Sequence, residues 1–384
     1  MILTIQENVE IIFTFESKFL ILKKLVLYVL FITSLSCSEK QKRSDLNNEN
    51  SIILELKYAQ GFSIKSTGSS KILEIKNPWP NSQKTYVHTF EKSELPINKI
   101  VVTSTTHIPA LELLGVEGTL VGFPGTDYIS SEQTRKRIDE GFVRELGKNE
   151  SINTEVLLEL QPDIVIGFGV DGTNKTFNTI EKSGIKVIYN GDWIENSPLA
   201  KAEWIKLFGV LFNKEQKADS IFNAIEKDYL ESKQLAKGAQ YKPTILSGAL
   251  HKDVWYLPSG TSPEARFLKD ANVNYLWHDT SAKGSLALSF ETVFDKAKDA
   301  NIWLSPSYYN SLEALKNANQ HYSSFDAYKN KQVYSFSNTV GATGGVLYYE
   351  MGTARPDLVL KDIIKICHPN LLPNYNSYFF KPFE

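Results

Sequence analysis

The chain has 384 residues, 42% of them hydrophobic and 22% charged, with a net charge of −2. That length suffices for one large or two medium domains. The near-neutral balance gives no argument for nucleic acid, and two cysteines, Cys37 and Cys367, rule out a disulfide framework and any CxxC or Cys/His ligand spacing.

The N-terminal stretch reads as an export signal. Lys23 and Lys24 precede an apolar run over residues 25–35, then Ser36 and Cys37, after which the chain turns polar at once. A basic flank, a short apolar run and a small residue before the cut describe a secretory signal, and the run is too short to span a bilayer comfortably. The ending Ser34-Leu35-Ser36-Cys37 resembles a loose lipobox. Residues 1–36 are therefore expected to be removed, with Cys37 lipidated and residues 37–50 serving as a charged, Asn-rich tether. A cleaved ordinary signal and an uncleaved anchor are the alternatives. About 20 residues, among them Glu7, Glu10 and Glu16, precede the basic flank, which is long and acidic for such a segment. This places the expected translation start further in, near Leu20 or Leu22.

Residues 51–95 form a β-rich extension. Strands are expected over 52–58, 62–66, 71–76 and 85–90, with turn chemistry at 66–70 and Asn77-Pro78-Trp79-Pro80 stopping the third strand. From Ile100 the rhythm changes to alternating strands and helices, which argues for a parallel sheet with helices on both faces. Strands fall at 100–102, 120–123, 163–167 and 186–189. Thr105 or Thr106 caps a helix closed by Gly115, Asn153 caps another, and residues 176–183 form a third. Ser197-Pro198 opens a helix over 199–208. Asn213 with Gln216 reads as a capping box for a long helix to about residue 235, with Ala218, Ile221, Ile225 and Tyr229 on one face. The rhythm then restarts, with strands at 244–247, 302–304 and 333–336 and helices at 263–270, 291–297 and 355–367. The fold class is α/β: two Rossmann-like lobes, residues 96–212 and 238–384, joined by one long helix, residues 213–237.

Few residues point to catalysis. The six histidines are dispersed, and neither a GxSxG elbow nor a GxxxxGK[ST] phosphate loop occurs. No catalytic residue, metal site or cofactor is expected, and the chain is read as a non-enzyme. One motif argues otherwise: Gly167, Gly169 and Gly172 match GxGxxG after a strand, with Asp192 at the end of the next strand, the dinucleotide-binding pattern. Polar residues after Gly172 and the unit's third place in its lobe count against an NAD-dependent oxidoreductase. The alternative is an open loop at the strand edge. The loops at the strand ends are rich in aromatic and small residues and nearly free of Arg, which suits a large flat ligand held by stacking.

Several stretches together carry a family resemblance: TTHIPALELLG (105–115), EVLLELQPDIV (155–165), KSGIKV (182–187) and Ser289-Phe290-Glu291. The chain resembles the class III substrate-binding proteins of ABC importers, which deliver iron–siderophore complexes, haem or cobalamin. Asn77-Pro78-Trp79, PLAKAEWIK (198–206) and GTARPDLVL (352–360) look like a Bacteroidetes-type branch, to which the β-rich extension also belongs. The resemblance implies a monomeric lipoprotein held at the membrane in the periplasm, with a rigid helix between lobes and a cleft that holds a corrinoid or ferric siderophore. It also implies partners, an inner-membrane permease and its ATPase, and no nucleic acid. In this family a glutamate on each lobe meets arginines of the permease. Glu155 and Glu291 occupy the matching positions, although each also suits the dipole of its own helix. The cleft residues expected from the loops are Tyr128, Phe168, Trp193, Trp255 and Tyr256 for stacking, with His251, Asn338, Glu350 and Arg355 as polar contacts. His107 or His251 would be the iron ligand were the chelate haem.

Overall fold

The structure, a computed structural model, describes residues 52–170, 174–282 and 284–384. The expected signal, Cys37 and tether lie outside the described residues, as do Asp171 and Gly172. Among the described residues no helix is long and apolar enough to cross a membrane.

The extension is a four-stranded antiparallel meander of Ile52–Leu54, Phe62–Ser66, Ser70–Lys76 and Thr85–Glu91. Alternation puts Phe62, Ile64, Leu73 and Ile75 into the core. The first strand stops at Leu54, short of the expected residue 58. The backbone amides beyond it go to side chains instead of a neighbouring strand. Lys57, Tyr58 and Ala59 donate to the Glu203 carboxylate at 2.9, 2.7 and 2.9 Å, and Gln60 and Gly61 donate to Glu195 at 2.9 Å each. Glu203 is buried and is also paired with the buried Lys206 at 3.0 Å. These contacts bind the extension to Glu195 and, through Glu203, to the stretch PLAKAEWIK.

The first lobe is built on a five-stranded parallel sheet. Ile100–Val102 lies between Ile164–Gly167 and Leu120–Phe123, with Lys186–Tyr189 and Arg144–Glu145 outside. Val101 pairs with Val165, and Val165 with Val187, so the strands are apolar on both faces and buried by helices. The second lobe repeats the plan with Thr244–Ser247, Ile302–Leu304 and Val333–Ser335 parallel, Asn274–Tyr275 on one edge and Lys381–Pro382 antiparallel on the other.

Between the two sheets runs the helix Glu215–Ala236. Its buried face is Ala218, Phe222, Ile225, Tyr229, Ser232 and Ala236, one residue off the expected stripe because Phe222 and not Ile221 turns inward. It packs against the helix Ile205–Leu211 in the first lobe and Pro356–Cys367 in the second. The expected capping box at its start is absent. Asn213 takes a left-handed φ of 54° and its side-chain Oδ1 accepts from Lys71 Nζ at 2.7 Å, so it serves the extension and not the helix end. The helix expected over 199–208 is two pieces, Pro198–Ala202 and Ile205–Leu211, with Glu203 and Trp204 at the join, where three-residue hydrogen bonds tighten the turn.

An antiparallel sheet of Ala249–His251, Val254–Pro258 and Ser285–Leu288 sits beside the second lobe, where a strand-edge loop was expected.

Candidate functional site

The strands of both lobes end at loops that line two cavities. On the first lobe, Ser104, Thr106 and His107 follow the strand Ile100–Val102, Phe168 and Val170 follow Ile164–Gly167, and Asp192 and Trp193 follow Lys186–Tyr189. With Lys201 and Thr353 they enclose about 310 Å³. On the second lobe a cavity of about 330 Å³ is walled by Tyr256, Tyr308, Phe336, Tyr348 and Tyr349, with His251 at its lining. Phe336 and Tyr348 stack with centroids 4.0 Å apart and planes 7° apart. Burial holds the Tyr348 and Tyr349 phenols above their ordinary range, so both remain neutral donors.

A segment of the second lobe crosses to the first. Gly341 and Gly345 make the approach possible, since a Cβ there would lie 2.7 Å from Ser130 Cα and 2.5 Å from Tyr128 O. Thr343 Oγ1 donates to Asp127 O at 2.7 Å, and the Glu350 carboxylate accepts from the amides of Ser130 and Ser131 at 2.6 and 2.9 Å. Glu350 is 2% exposed. Burial pushes its carboxyl up to about 7, with help from Glu112 and against the pull of the two amides.

Several expected residues are placed at the cavities. Phe168 and Trp193 line the first, and His251 and Tyr256 line the second. Others are elsewhere. Trp255 is 0% exposed, stacked 5.6 Å from Trp303 and donating to Ser247 O at 2.9 Å, so it is core. Neighbours in a strand point to opposite faces, so Trp255 and Tyr256 cannot both face the cleft. Glu350 is spent on the cross-lobe contact just described and is not a free ligand contact. Arg355 is held bidentately by Asp357 at 2.9 and 2.7 Å, at the start of its helix. Asn338 donates to Asn310 O at 2.8 Å and ties two loops. Neither Arg355 nor Asn338 lines these cavities. Tyr128 is 72% exposed and lies under the crossing segment, outside both linings. His107, by contrast, lines the first cavity, with its ring also against Phe208, and burial pushes it down to about 3.

Glu155 and Glu291 are both exposed, each the second residue of a short helix, Thr154–Leu160 on one lobe and Phe290–Ala297 on the other. Asn153 and Ser289 cap the two helices at 3.1 and 3.2 Å. The backbone amide of Glu291 and the Ser289 hydroxyl lower its carboxyl below the usual value.

The glycines of the dinucleotide pattern have another use. A Cβ on Gly167 would meet the Phe177 ring at 2.2 Å, and one on Gly169 would meet the Trp79 ring at 2.6 Å. Both admit aromatic rings rather than a pyrophosphate, and residues 168–170 form a loop at the strand end that lines the first cavity. Asp192 lines the first cavity. The lining residues that the sequence reading did not single out are Ser104, Thr106, Lys201 and Thr353 in one cavity and Tyr308, Phe336, Tyr348 and Tyr349 in the other. Tyr308 belonged to a strand-end loop already marked as aromatic. Lys201 carried no signal, since a lysine on a short helix is ordinarily solvated.

Two parallel-sheet lobes, one long helix between them and cavities at the carboxyl ends of both sheets define a bilobal solute-binding protein. Solved structures share this plan. A periplasmic binding protein of Veillonella parvula matches with a TM-score of 0.58 at 14% identity, over 87% of this chain and 99% of that one. Helicobacter pylori CeuE with Ni(II) bound matches with a TM-score of 0.57 at 18% identity, over 79% and 91%. An uncharacterized lipoprotein of Methanocaldococcus jannaschii is 27% identical over 327 residues, 83% of this chain and 77% of that protein. The periplasmic binding protein family model matches residues 100–339, and the chain belongs to that family.

Proposed function

We propose that this protein is the solute-binding lipoprotein of an ABC importer, which captures a large metal chelate, a corrinoid or ferric siderophore, between its lobes and delivers it to a membrane permease. The observation that carries this is the tyrosine-rich wall of the second cavity; among the described residues lining the two cavities there is one lysine and no arginine. Flat aromatic faces and neutral hydroxyls suit a bulky chelate better than a polyanion. The Ni(II) in CeuE and the lipoprotein relative agree with this reading. Lipidation of Cys37 would hold the protein at the membrane, and the lack of an acid-rich run after it favours the periplasmic side. Haem is the second reading, favoured by His251, whose ring lies 6.5 Å from Tyr256 at the second cavity.

The test is a tryptophan-fluorescence titration with cyanocobalamin, cobinamide, haem, a ferric hydroxamate, ferric citrate and NADH, corrected for inner-filter effects. Saturable sub-micromolar quenching by one chelate supports the reading and chooses the ligand. Silence across the chelates with a response to NADH overturns it.

A further inference from the structure

The first cavity carries a charge that aromatic stacking does not use. Among the described residues lining the two cavities, Lys201 is the only lysine or arginine. It stands on the helix Pro198–Ala202, whose start is fixed by Ser197 accepting from the Ala200 amide at 3.2 Å. Lys206, five residues on, shows what a lysine committed to the fold looks like here. It is buried and paired with Glu203 at 3.0 Å and Asp219 at 3.2 Å. Lys201 differs. It is half-buried, and among the described residues its ammonium has no hydrogen-bond or ion-pair partner within 4.0 Å.

The surroundings make that charge usable. Asp192 lines the same cavity, and its burial pushes the carboxyl up to about 6 against the pull of Lys201. The acid loses its charge only as pH falls through about 6, and at any pH its carboxylate lies beyond 4.0 Å from the Lys201 ammonium, so it does not occupy that ammonium's hydrogen-bonding positions. Ser104, Thr106 and Thr353 add hydroxyls around the pair. An ammonium in a partly dehydrated pocket beside neutral hydroxyls favours one anionic oxygen group. A second anion would find no further cation in this lining.

We propose that Lys201 is a specificity-determining residue that pairs with a single carboxylate on the rim of the chelate, while the flat face of the ligand lies on the tyrosines of the second cavity. The inference rests on the chelate-binding reading above and narrows it to chelates with an acidic arm. Such an arm can come from a tetrapyrrole side chain, a hydrolysed corrinoid amide or a siderophore carboxylate.

Matched probes distinguish these sources. The purified full chain, kept in mild detergent, is titrated with haemin and haemin dimethyl ester, with cyanocobalamin and its monocarboxylic acid derivative, and with ferric citrate and a neutral ferric hydroxamate. The same titrations are run on Lys201→Met and Lys201→Arg. We expect the acidic member of one pair to bind about tenfold or more tighter than its neutral partner, as a charge-assisted hydrogen bond implies. Lys201→Met should abolish that difference, read as the ratio of acid to neutral affinity on the same variant, and Lys201→Arg should retain most of it. Equal binding of acid and neutral forms, or indifference of the acid to Lys201→Met, overturns this assignment and leaves the chelate reading standing. Failure of every chelate to bind overturns both. If Lys201→Met does not fold, as judged by circular dichroism, the acid–neutral comparison on the native chain decides alone.

Discussion

At the residue scale, adjacent side chains do unlike work. Trp255 and Tyr256 share a strand, yet one is fully enclosed and the other is 46% exposed at the second cavity. Trp255→Ala should cost about 3–5 kcal/mol, the usual loss for a large core aromatic. Tyr256→Ala should cost under about 1 kcal/mol and weaken chelate binding about tenfold or more. Urea unfolding and fluorescence titration of the two variants separate the effects. Glu350 offers a pH test. Its carboxyl lies near 7 in the folded chain, above the ordinary 4.5. Between those values the folded protein keeps a proton that the unfolded chain has released. The contribution of this group is therefore fully present below 4.5 and is lost as pH rises through about 7. Its full span is on the order of 3 kcal/mol. Glu350→Gln should flatten that decline, read as a smaller difference in melting temperature between about pH 5 and 7.5 than the native chain shows. An equal slope in both proteins would remove Glu350 as its source.

At the scale of elements, two carboxylates tie the extension to the first lobe beside its buried apolar face. Glu203 and Glu195 together accept five backbone amides from residues 57–61. Removing Glu203 would orphan three of those amides and leave the buried Lys206 with the half-exposed Asp219 as its remaining acidic partner. Glu203→Ala should cost on the order of 3–5 kcal/mol and open residues 55–61 to protease before the lobes unfold. Cleavage mapped by mass spectrometry checks this, and a variant cut no faster there than the native chain would contradict it. Most elements were legible because each strand and helix carries local signals. The strands at 120–123, 186–189 and 244–247 and the helix at 263–270 fall where the residues place them. The capping box at Asn213 and the strand end at residue 58 were misread for one reason. In both cases a distant side chain, Lys71 or Glu203, competes for the group that local rules assign.

At the scale of the whole molecule, Glu155 and Glu291 place one exposed acid on each lobe, at equivalent positions in equivalent helices. Their proposed role is to set the docking register on the permease, because two charges at a fixed spacing favour one orientation of encounter. Glu155→Arg with Glu291→Arg should abolish uptake of the chelate by cells while leaving its affinity for the isolated protein within about twofold. Lost affinity in that double variant would show that the acids act on the cleft and not on docking. The crossing contacts from Thr343 and Glu350 to residues 127–131 join the lobes in addition to the long helix. They agree with the limited closure expected from a rigid linker.

By itself, the sequence determined the α/β class, the two lobes and the helix between them. Apolar periodicity, caps and turns act over a few residues and are written in order along the chain. It also marked Phe168, Trp193, His251 and Tyr256, which line the cavities. Only the tertiary structure decided that Trp255 is core, that Glu350 and Arg355 are occupied, and that Lys201 lines the first cavity. Those outcomes depend on partners some two to more than two hundred residues away, on which strand face looks inward, and on which charges find a counter-charge. Local patterns do not encode the distant pairings, and even the neighbour pair Arg355–Asp357 is fixed by the burial of Asp357 in the assembled molecule.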